Sequence, residues 1–577
     1  MKPTRAPAIF LVALFLTAAG ARGQGYGETV DVNVVVVDVE VRDTGGRQVT
    51  DLGRDDFQVF EDGRRVKVAY YERVVGHRMG SQPATGAAGG SSDTAPPDTA
   101  SWIVVYVDNL QLRPDSRAQA LEHLRHRFRE AAPGERVMVV SQGSSFEVRL
   151  PFTADRAAID AALAALETAP ADGAANDRDR SRVLTAVAAA QRDAASLDLP
   201  CNQGVVEPAR AFAATVRAQT RATVGRLLSF TNTLAGLPGR KALLYLSDGM
   251  PMQPGQEVFQ AVTELCNSRD SQQLAARGYS NQMGAALEAA GMSIADDLRR
   301  LTAHANVQRV SFYPLQASGL GTSGTAAALG RGDRGDRLLQ LNAVSSVAER
   351  NLRESLIYLG NETGGRAIIG TDDFDAELDR LRADLATFYS LGYVPEHQGD
   401  GKEHAIEVRV ARPGLRLAYR RGYRDKPALE QAADRTLATL LHGYEDNPLE
   451  VKLELLPAEP LPNGRFRVIA RLLVPLSGLG RSSHGEVFES KLRVIAATSS
   501  PGGETSRLRQ AEVPVRVPHD EALTAFGQSY EYRVGLELPA GANTVAFAVR
   551  DELGGTASFL RRAVDVKPPA ADSAQTP

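Results

Sequence analysis

Two carboxylates stand where an α/β protein usually binds its ligands. Asp108 directly follows the apolar run Trp102-Ile103-Val104-Val105-Tyr106-Val107. Asp248, in Ser247-Asp248-Gly249, follows Ala242-Leu243-Leu244-Tyr245-Leu246. Runs that are apolar throughout read as parallel strands covered on both faces. In a doubly wound sheet, ligands bind beyond the carboxyl ends of the strands, where the strand order reverses. If these two strands are neighbours, both carboxylates open on one crevice, and hard oxygen ligands meeting at one point suit Mg²⁺. Either Asp alone would serve equally well as a helix or turn cap; their shared position is what suggests a site. Asn109 offers a further oxygen. In the flanking loops, Leu110 and Leu112 on one side and Met250 and Met252 on the other are candidates for an apolar patch that a protein partner would cover. The alternative is that they pack beneath their loops.

Other residues with chemical potential are less organised. Cys201 and Cys266 are an even pair, which an oxidising compartment would join as a disulfide, with two buried thiols as the alternative; neither has a histidine nearby for a zinc site. His123 and His126 lie three apart in a helical stretch, but Arg125 and Arg127 mark that face as solvated. The other histidines are scattered. Gly319-Leu320-Gly321-Thr322-Ser323-Gly324 has the dinucleotide spacing, yet it follows the wrong strand and opens a loop rather than a helix. The triplets Arg331-Gly332-Asp333 and Arg334-Gly335-Asp336 arise cheaply in that low-complexity loop. The chain has no nucleophile elbow, P-loop or H-E-x-x-H motif, so no catalytic machinery is expected.

The elements that must position these residues read as follows. Lys2 and Arg5 precede an apolar run from Ala6 to Ala19 and small residues, the pattern of a cleavable secretory signal over 1–23. That run is shorter than the roughly 20 residues of a membrane span. Residues 28–76 read as a small β module, in which Val37, Val39 and Val41 alternate with Asp38, Glu40 and Arg42, and Glu61-Asp62-Gly63 turns a hairpin. A Gly/Ser/Pro-rich linker covers 77–100. Buried strands then alternate with amphipathic helices over 101–395, which predicts a doubly wound, mostly parallel sheet. A β extension (396–425), a helical connector (426–445), a β-sandwich (446–567) and a disordered tail (568–577) complete the chain.

The stretches Trp102–Asp108, Lys241–Gly249, Val310–Pro314 and Thr363-Gly364-Gly365-Arg366 resemble the von Willebrand factor type A (VWA) domain. Phe57–Gly63, Tyr389–Tyr393 and Pro413-Gly414-Leu415 leading to Arg421-Gly422-Tyr423 resemble a bacterial exported "VWFA-related" family that places a short β module before that domain. The resemblance covers roughly Val30 to Tyr423. It implies a Rossmann-like sheet whose top face binds a divalent cation through Asp-x-Ser-x-Ser, a Thr from a later loop and a further Asp. Asp108 and Asp248 match the two Asp positions. Leu110 and Leu112 occupy the Ser positions, and no Thr clearly fills the loop around 171–177, so the resemblance implies a degenerate site with weak Mg²⁺ binding at most. By analogy with the same fold, Cys201 and Cys266 fall on one rim within disulfide reach.

The bulk composition is ordinary for a folded chain, with 43% apolar and 24% charged residues over 577 positions,. A net charge of −4 argues against nucleic acid as partner,. The expectation is an extracytoplasmic protein, periplasmic or secreted, with no membrane span after signal cleavage. It would bind an unidentified protein partner through the top of its α/β domain. A metal-dependent adhesion module and a hydrolase with an unfamiliar site are the alternatives.

Overall fold

In the computed structural model, residues 34–75, 101–129, 135–196, 203–263, 290–319, 336–371 and 373–567 are described. The signal segment, the 77–100 linker, Cys201, Cys266, the Arg-Gly-Asp loop, most of the glycine motif after Gly319 and the tail from 568 lie outside them. The chain opens with strands that find most of their partners much later: β1 (Val35–Arg42), β2 (Phe57–Glu61), β3 (Arg64–Val66) and β4 (Tyr70–Val74). Asp62 and Gly63 join β2 to β3 with φ of 48° and 80°. Two left-handed residues in a row are what a two-residue hairpin turn needs.

The middle of the chain alternates strand and helix. β5 (Ser101–Asp108), α1 (Pro114–Arg129), β6 (Arg136–Gln142), β7 (Phe146–Thr153), α2 (Arg156–Glu167), α3 (Gly173–Ser196) and α4 (Gln203–Thr233) come first. Then follow β8 (Arg240–Ser247), α5 (Ala295–Val307), β9 (Val310–Gln316), α6 (Asp336–Glu362) and α7 (Phe374–Ala386). The sheet order is β7-β6-β5-β8-β9, parallel except for the edge strand β7. The order reverses between β5 and β8. β5 is apolar throughout because both of its faces are covered. Ile103, Val105 and Val107 pack with Leu121, Leu163 and Leu378 of α1, α2 and α7. Trp102, Val104 and Tyr106 pack with Leu227, Leu301 and Leu359 of α4, α5 and α6. Each such buried side chain contributes roughly 1.5–3 kcal/mol relative to exposure. The apolar stretch Arg366–Ile369 is not a full strand; it joins the sheet through one bridge, Leu315 to Ile368. Gly365 lets it approach β9, since a Cβ there would sit 1.9 Å from the Phe312 carbonyl oxygen.

The chain then returns to its beginning. β10 (Phe388–Tyr393), β11 (Glu403–Val410), β12 (Arg416–Ala418) and β13 (Gly422–Arg424) complete two four-stranded sheets, ordered β12-β1-β10-β4 and β13-β11-β2-β3. Val37, Val39, Phe57, Val59, Leu391 and Val408 form their common core. The sequence reading grouped β10 with the α/β part and kept 28–76 apart from 396–425. Here β10 is hydrogen-bonded between β1 and β4, so the α/β part is an insertion between two halves of one β unit. Local periodicity cannot convey pairing across more than 300 residues.

After α8 (Ala428–His442) come β14 (Lys452–Leu455), β15 (Glu459–Pro460), β16 (Phe466–Pro475), β17 (Ser482–His484) and β18 (Val487–Ser499). β19 (Arg509–Pro518), a short helix α9 (Ala522–Ala525), β20 (Ser529–Leu538), β21 (Gly541–Asp551) and β22 (Ala557–Val566) end the described chain. One sheet holds β14, β15, β16 and β20; the other holds β17, β18, β19, β21 and β22. Both contribute to one core through Val468, Leu472, Val494, Phe547 and their neighbours. α8 covers the outer face of the second sheet, where Ala432 meets Ile495 and Leu440 meets Ala497. That explains the unbroken apolar run Val494-Ile495-Ala496-Ala497, which is buried on both faces. Among the described residues, no helix is long and apolar enough to cross a membrane.

A buried polar knot joins the β unit to the base of the central sheet. Glu40 points away from the core of its own unit and is only 5% exposed. Its Oε1 accepts from Arg240 Nη2 at 2.8 Å and from the Tyr313 hydroxyl at 3.1 Å. The alternation in β1 therefore marks two buried faces rather than one buried and one wet. Removing one partner of a buried ion pair leaves the other uncompensated, whereas replacing both by apolar groups is often nearly neutral. Glu40→Ala is expected to destabilise by about 3–5 kcal/mol, and Glu40→Leu with Arg240→Met to recover most of that loss. Urea unfolding followed by Trp102 fluorescence measures both; a double variant no better than the single one contradicts the pairing.

Candidate functional site

The carboxyl ends of β5 and β8 lie side by side, with Val107 paired to Leu246. This register brings the two predicted carboxylates to one rim, at the point where the strand order reverses. Asp108 is fully buried. Its Oδ2 accepts from the Tyr245 hydroxyl at 2.5 Å and from Ser247 Oγ at 3.2 Å, and its Oδ1 accepts from the Leu110 amide at 3.2 Å. Burial pushes the Asp108 carboxyl up to about 6, against the Tyr245 and Ser247 hydrogen bonds, which favour the ionised form,. Asp248 is 9% exposed. Its Oδ1 accepts from the Ser318 amide at 2.8 Å, and its Oδ2 accepts from Ser116 Oγ at 3.3 Å and the Arg113 amide at 3.4 Å. Burial raises its pKa too, with the Arg113 charge opposing.

The loop after β5 is held from several sides. Asn109, the suggested extra oxygen ligand, is committed elsewhere: its Oδ1 accepts from Arg117 Nη1 at 2.9 Å. Arg117 is itself buried, and its other nitrogen donates to the carbonyls of Glu167 at 3.0 Å and Ala169 at 2.6 Å, at the end of α2. The Leu110 carbonyl accepts from Asn176 Nδ2 at 2.7 Å, and the Leu112 carbonyl accepts from the Gly173 amide at 3.0 Å. A Cβ at Gly173 would lie 2.6 Å from the backbone of that loop, so only glycine starts α3 in this position.

The four apolar candidates do not form a surface patch. Leu112, Met250 and Met252 are buried: Leu112 packs with the α1 and α2 side of the sheet, and the methionines with the α4, α5 and α6 side. Leu110 is half-buried. Gly249, at φ 108°, turns the chain inward after Asp248, and the Met250 amide donates to Ser355 Oγ at 3.2 Å. These residues stabilise the rim from beneath.

What opens at the rim instead is a pocket of about 130 Å³, lined by charged side chains and by Phe212, Val216 and Leu352. Arg113, Asp177, Asp179, Arg180, Asp248 and Glu257 line it. Arg113 Nε donates to Asp177 Oδ2 at 2.6 Å, and Arg180 Nη2 donates to Asp177 Oδ1 at 2.8 Å. Glu257 is 7% exposed, and burial raises its pKa against the charge of Arg180. Four acidic and two basic side chains leave an acidic excess. The pocket has room for one inserted side chain. Asp248 and the loop after Asp108, which holds Arg113, are legible in the sequence; Asp177, Asp179, Arg180 and Glu257 are not.

The divalent cation that the VWA resemblance implies does not fit this rim. Asp108 is sealed by Tyr245 and Ser247, Asn109 is taken by Arg117, and leucine stands where hydroxyls are needed. Mg²⁺ demands a near-octahedral set of oxygens, and the Arg113 guanidinium already supplies positive charge there.

A second cluster lies in the β unit, among histidines that appear scattered in sequence. His397 and His404 stack with ring centroids 3.8 Å apart and an interplanar angle of 12°. His397 Nδ1 lies 2.8 Å from Asp425 Oδ2, and His404 Nδ1 lies 2.8 Å from Asp62 Oδ2. His404 Nε2 lies 3.3 Å from Asp400 Oδ1. Burial opposes charge on His404, but Asp62 and Asp400 outweigh it and raise its pKa. The i,i+4 spacing of Asp400 and His404 was the one local signal. By contrast, His123 Nδ1 pairs with Asp375 at 3.0 Å while His126 is exposed, so these two share no site. Ser483 Oγ lies 3.1 Å from His519 Nε2. Both are exposed on the sandwich.

No family model matches the chain, and no curated protein matches it. Among solved structures, 18 chains match part of it. One, a Northeast Structural Genomics Consortium target, shares 11% identity over 20% of this chain and 86% of its own, at a TM-score of 0.14. Another, a Bordetella pertussis protein labelled ApaA, shares 11% identity over 21% of this chain and 94% of its own, also at 0.14. Superpositions of this size carry no argument about fold or activity. What stands independently is a mixed α/β chain whose central sheet has parallel strands and two carboxylates at its switch point.

Proposed function

We propose that this chain is an exported VWA-type recognition protein whose top face binds a protein partner without a metal ion. The observation that carries this reading is the satisfied state of the rim. Asp108 and Asp248 each accept three hydrogen bonds from hydroxyls and amides of the chain. Recognition then falls to the pocket beside them, whose acidic excess suits a lysine or arginine side chain of the partner. The order β7-β6-β5-β8-β9 and the position of both Asp residues support the VWA resemblance. The absence of any sequence motif for catalysis supports a binding role over a hydrolytic one.

The test has two arms. Calorimetric titration of the full chain with Mg²⁺ or Mn²⁺ is expected to be silent at millimolar metal; heat that Asp108→Ala abolishes contradicts the reading. Capture of a partner from an extracytoplasmic extract is expected to survive EDTA and to fall at least tenfold with Asp179→Lys, which reverses a largely exposed charge at the pocket mouth. Capture that EDTA abolishes contradicts it equally.

A closed rim also has a signature in pH. Asp108 titrates near 6 in the folded chain against an ordinary 3.8. A raised folded pKa means that its contribution is fully present below about pH 4 and is lost as pH rises through 6. The loss amounts to about 3 kcal/mol. Asp108→Asn keeps the shape without the charge, so the variant is expected to gain on the wild type by about that amount between pH 3.5 and pH 7. Urea unfolding at both pH values measures it; a difference between the two proteins that stays constant with pH contradicts a raised Asp108.

A further inference from the structure

The cluster in the β unit has the composition and the hydrogen bonding of a metal site. One ligand atom each from His397, Asp400 and His404 lies within 4.8 Å of the others. The stronger observation concerns what surrounds the two imidazoles. Each has its Nδ1 on a carboxylate at 2.8 Å, Asp425 for His397 and Asp62 for His404. A carboxylate on one ring nitrogen is the usual outer partner of a metal-binding histidine: it fixes the tautomer and turns the other nitrogen toward the ion. Here the same arrangement occurs twice and leaves both Nε2 atoms for a common ligand.

The state of those atoms agrees. His397 Nε2 is buried and has no hydrogen-bond partner. Its nearest carboxylate oxygen is Glu61 Oε2 at 3.5 Å. The other Glu61 oxygen accepts from the Tyr393 hydroxyl at 2.8 Å and the Tyr423 hydroxyl at 2.7 Å, so Oε2 is held toward the histidines. His404 Nε2 and Asp400 Oδ1 are 3.3 Å apart. Two ligands on a tetrahedral ion with bonds of 2.0–2.1 Å sit about 3.4 Å apart, so this pair is already at ligand spacing. Four carboxylates, Glu61, Asp62, Asp400 and Asp425, surround two imidazoles. Lys402 Nζ, on a largely exposed side chain, lies 3.8 Å from Asp400. The local balance favours a cation.

We propose that His397, Asp400 and His404 bind a borderline transition-metal dication of the zinc class, with Glu61 Oε2 positioned as a fourth ligand. Two imidazoles and a carboxylate select this class over Mg²⁺ or Ca²⁺, which prefer oxygen alone. Binding tilts the two rings away from parallel, since each lone pair lies in its ring plane. The ion then joins the β2–β3 turn to the segment between β10 and β11, parts of the chain more than 330 residues apart. This site is separate from the rim of Asp108 and Asp248; metal heat or EDTA sensitivity that Asp400→Asn removes belongs to the histidine cluster, whereas heat that Asp108→Ala removes belongs to the rim.

The test uses the full chain stripped with chelator and titrated with Co²⁺ and Zn²⁺. Co²⁺ is expected to give visible ligand-field bands that saturate at one equivalent and are displaced by one equivalent of Zn²⁺. Asp400→Asn, at an exposed position, is expected to weaken Zn²⁺ binding at least tenfold while the metal-free protein keeps its far-UV circular dichroism; His397→Ala is expected to abolish the bands. Asp425→Asn, which alters the carboxylate on His397 Nδ1 and the Asp400 amide, is expected to weaken binding by about 10–100-fold. No bands at millimolar Co²⁺ overturn the proposal, as does one equivalent of bound metal that survives both Asp400→Asn and His397→Ala.

Discussion

A carboxylate that water cannot reach must be supplied with donors by its own protein, and the top of the central sheet is organised around doing this for Asp108. An unpaired ionised carboxylate in such a place is so unfavourable that it takes up a proton instead. The chain answers with the Tyr245 and Ser247 hydroxyls from the adjacent strand and one backbone amide. This requires β5 and β8 to be neighbours in register, which in turn requires both to be buried on both faces. The loop after Asp108 is then pinned by Arg117 beneath and by the start of α3 beside it. The apolar side chains around the rim, Leu112, Met250 and Met252, make its floor rather than its surface. The pocket at Asp177 and Glu257 is what remains open.

The same logic of satisfied burial governs the junction below. Because the α/β part is inserted into the β unit, the partners of β1 are separated from it by more than 300 residues in the chain. Closing so long a loop costs entropy that grows only slowly with length, but such pairing is slow to form. The Glu40, Arg240 and Tyr313 knot ties that unit to the base of the sheet. Arg420 adds to it through the Val36 carbonyl at 2.7 Å. Thr363 and the two glycines after it pass through the same junction. The Thr363 hydroxyl accepts from the Phe312 amide at 2.9 Å, and a Cβ on Gly364 would lie 2.6 Å from the Tyr419 backbone.

Features encoded locally were legible in the sequence. The apolar runs at Trp102 and Ala242 are strands, Asp62-Gly63 is a hairpin turn, and 446–567 holds a two-sheet sandwich. The common rim of Asp108 and Asp248 was legible too, because the end of an apolar strand is visible in one dimension. Three things were not. The alternation of β1 does not name what covers its second face, and Glu40 meets the base of the central sheet. The hydrophobicity of Leu112 and Met250 was equally consistent with core and with surface. The histidine cluster draws its carboxylates from Glu61, Asp62, Asp400 and Asp425, and no local window contains them all.

The central claim is that the rim of Asp108 and Asp248 is complete without an ion. Diffraction from crystals grown in millimolar Mn²⁺, with anomalous differences collected at its absorption edge, tests this most directly. The account predicts no anomalous peak between these carboxylates, with the Tyr245 hydroxyl still on Asp108 and the Arg113 guanidinium still on Asp177. A peak there, with oxygen ligands at about 2.1–2.2 Å and Tyr245 displaced from Asp108, would contradict it.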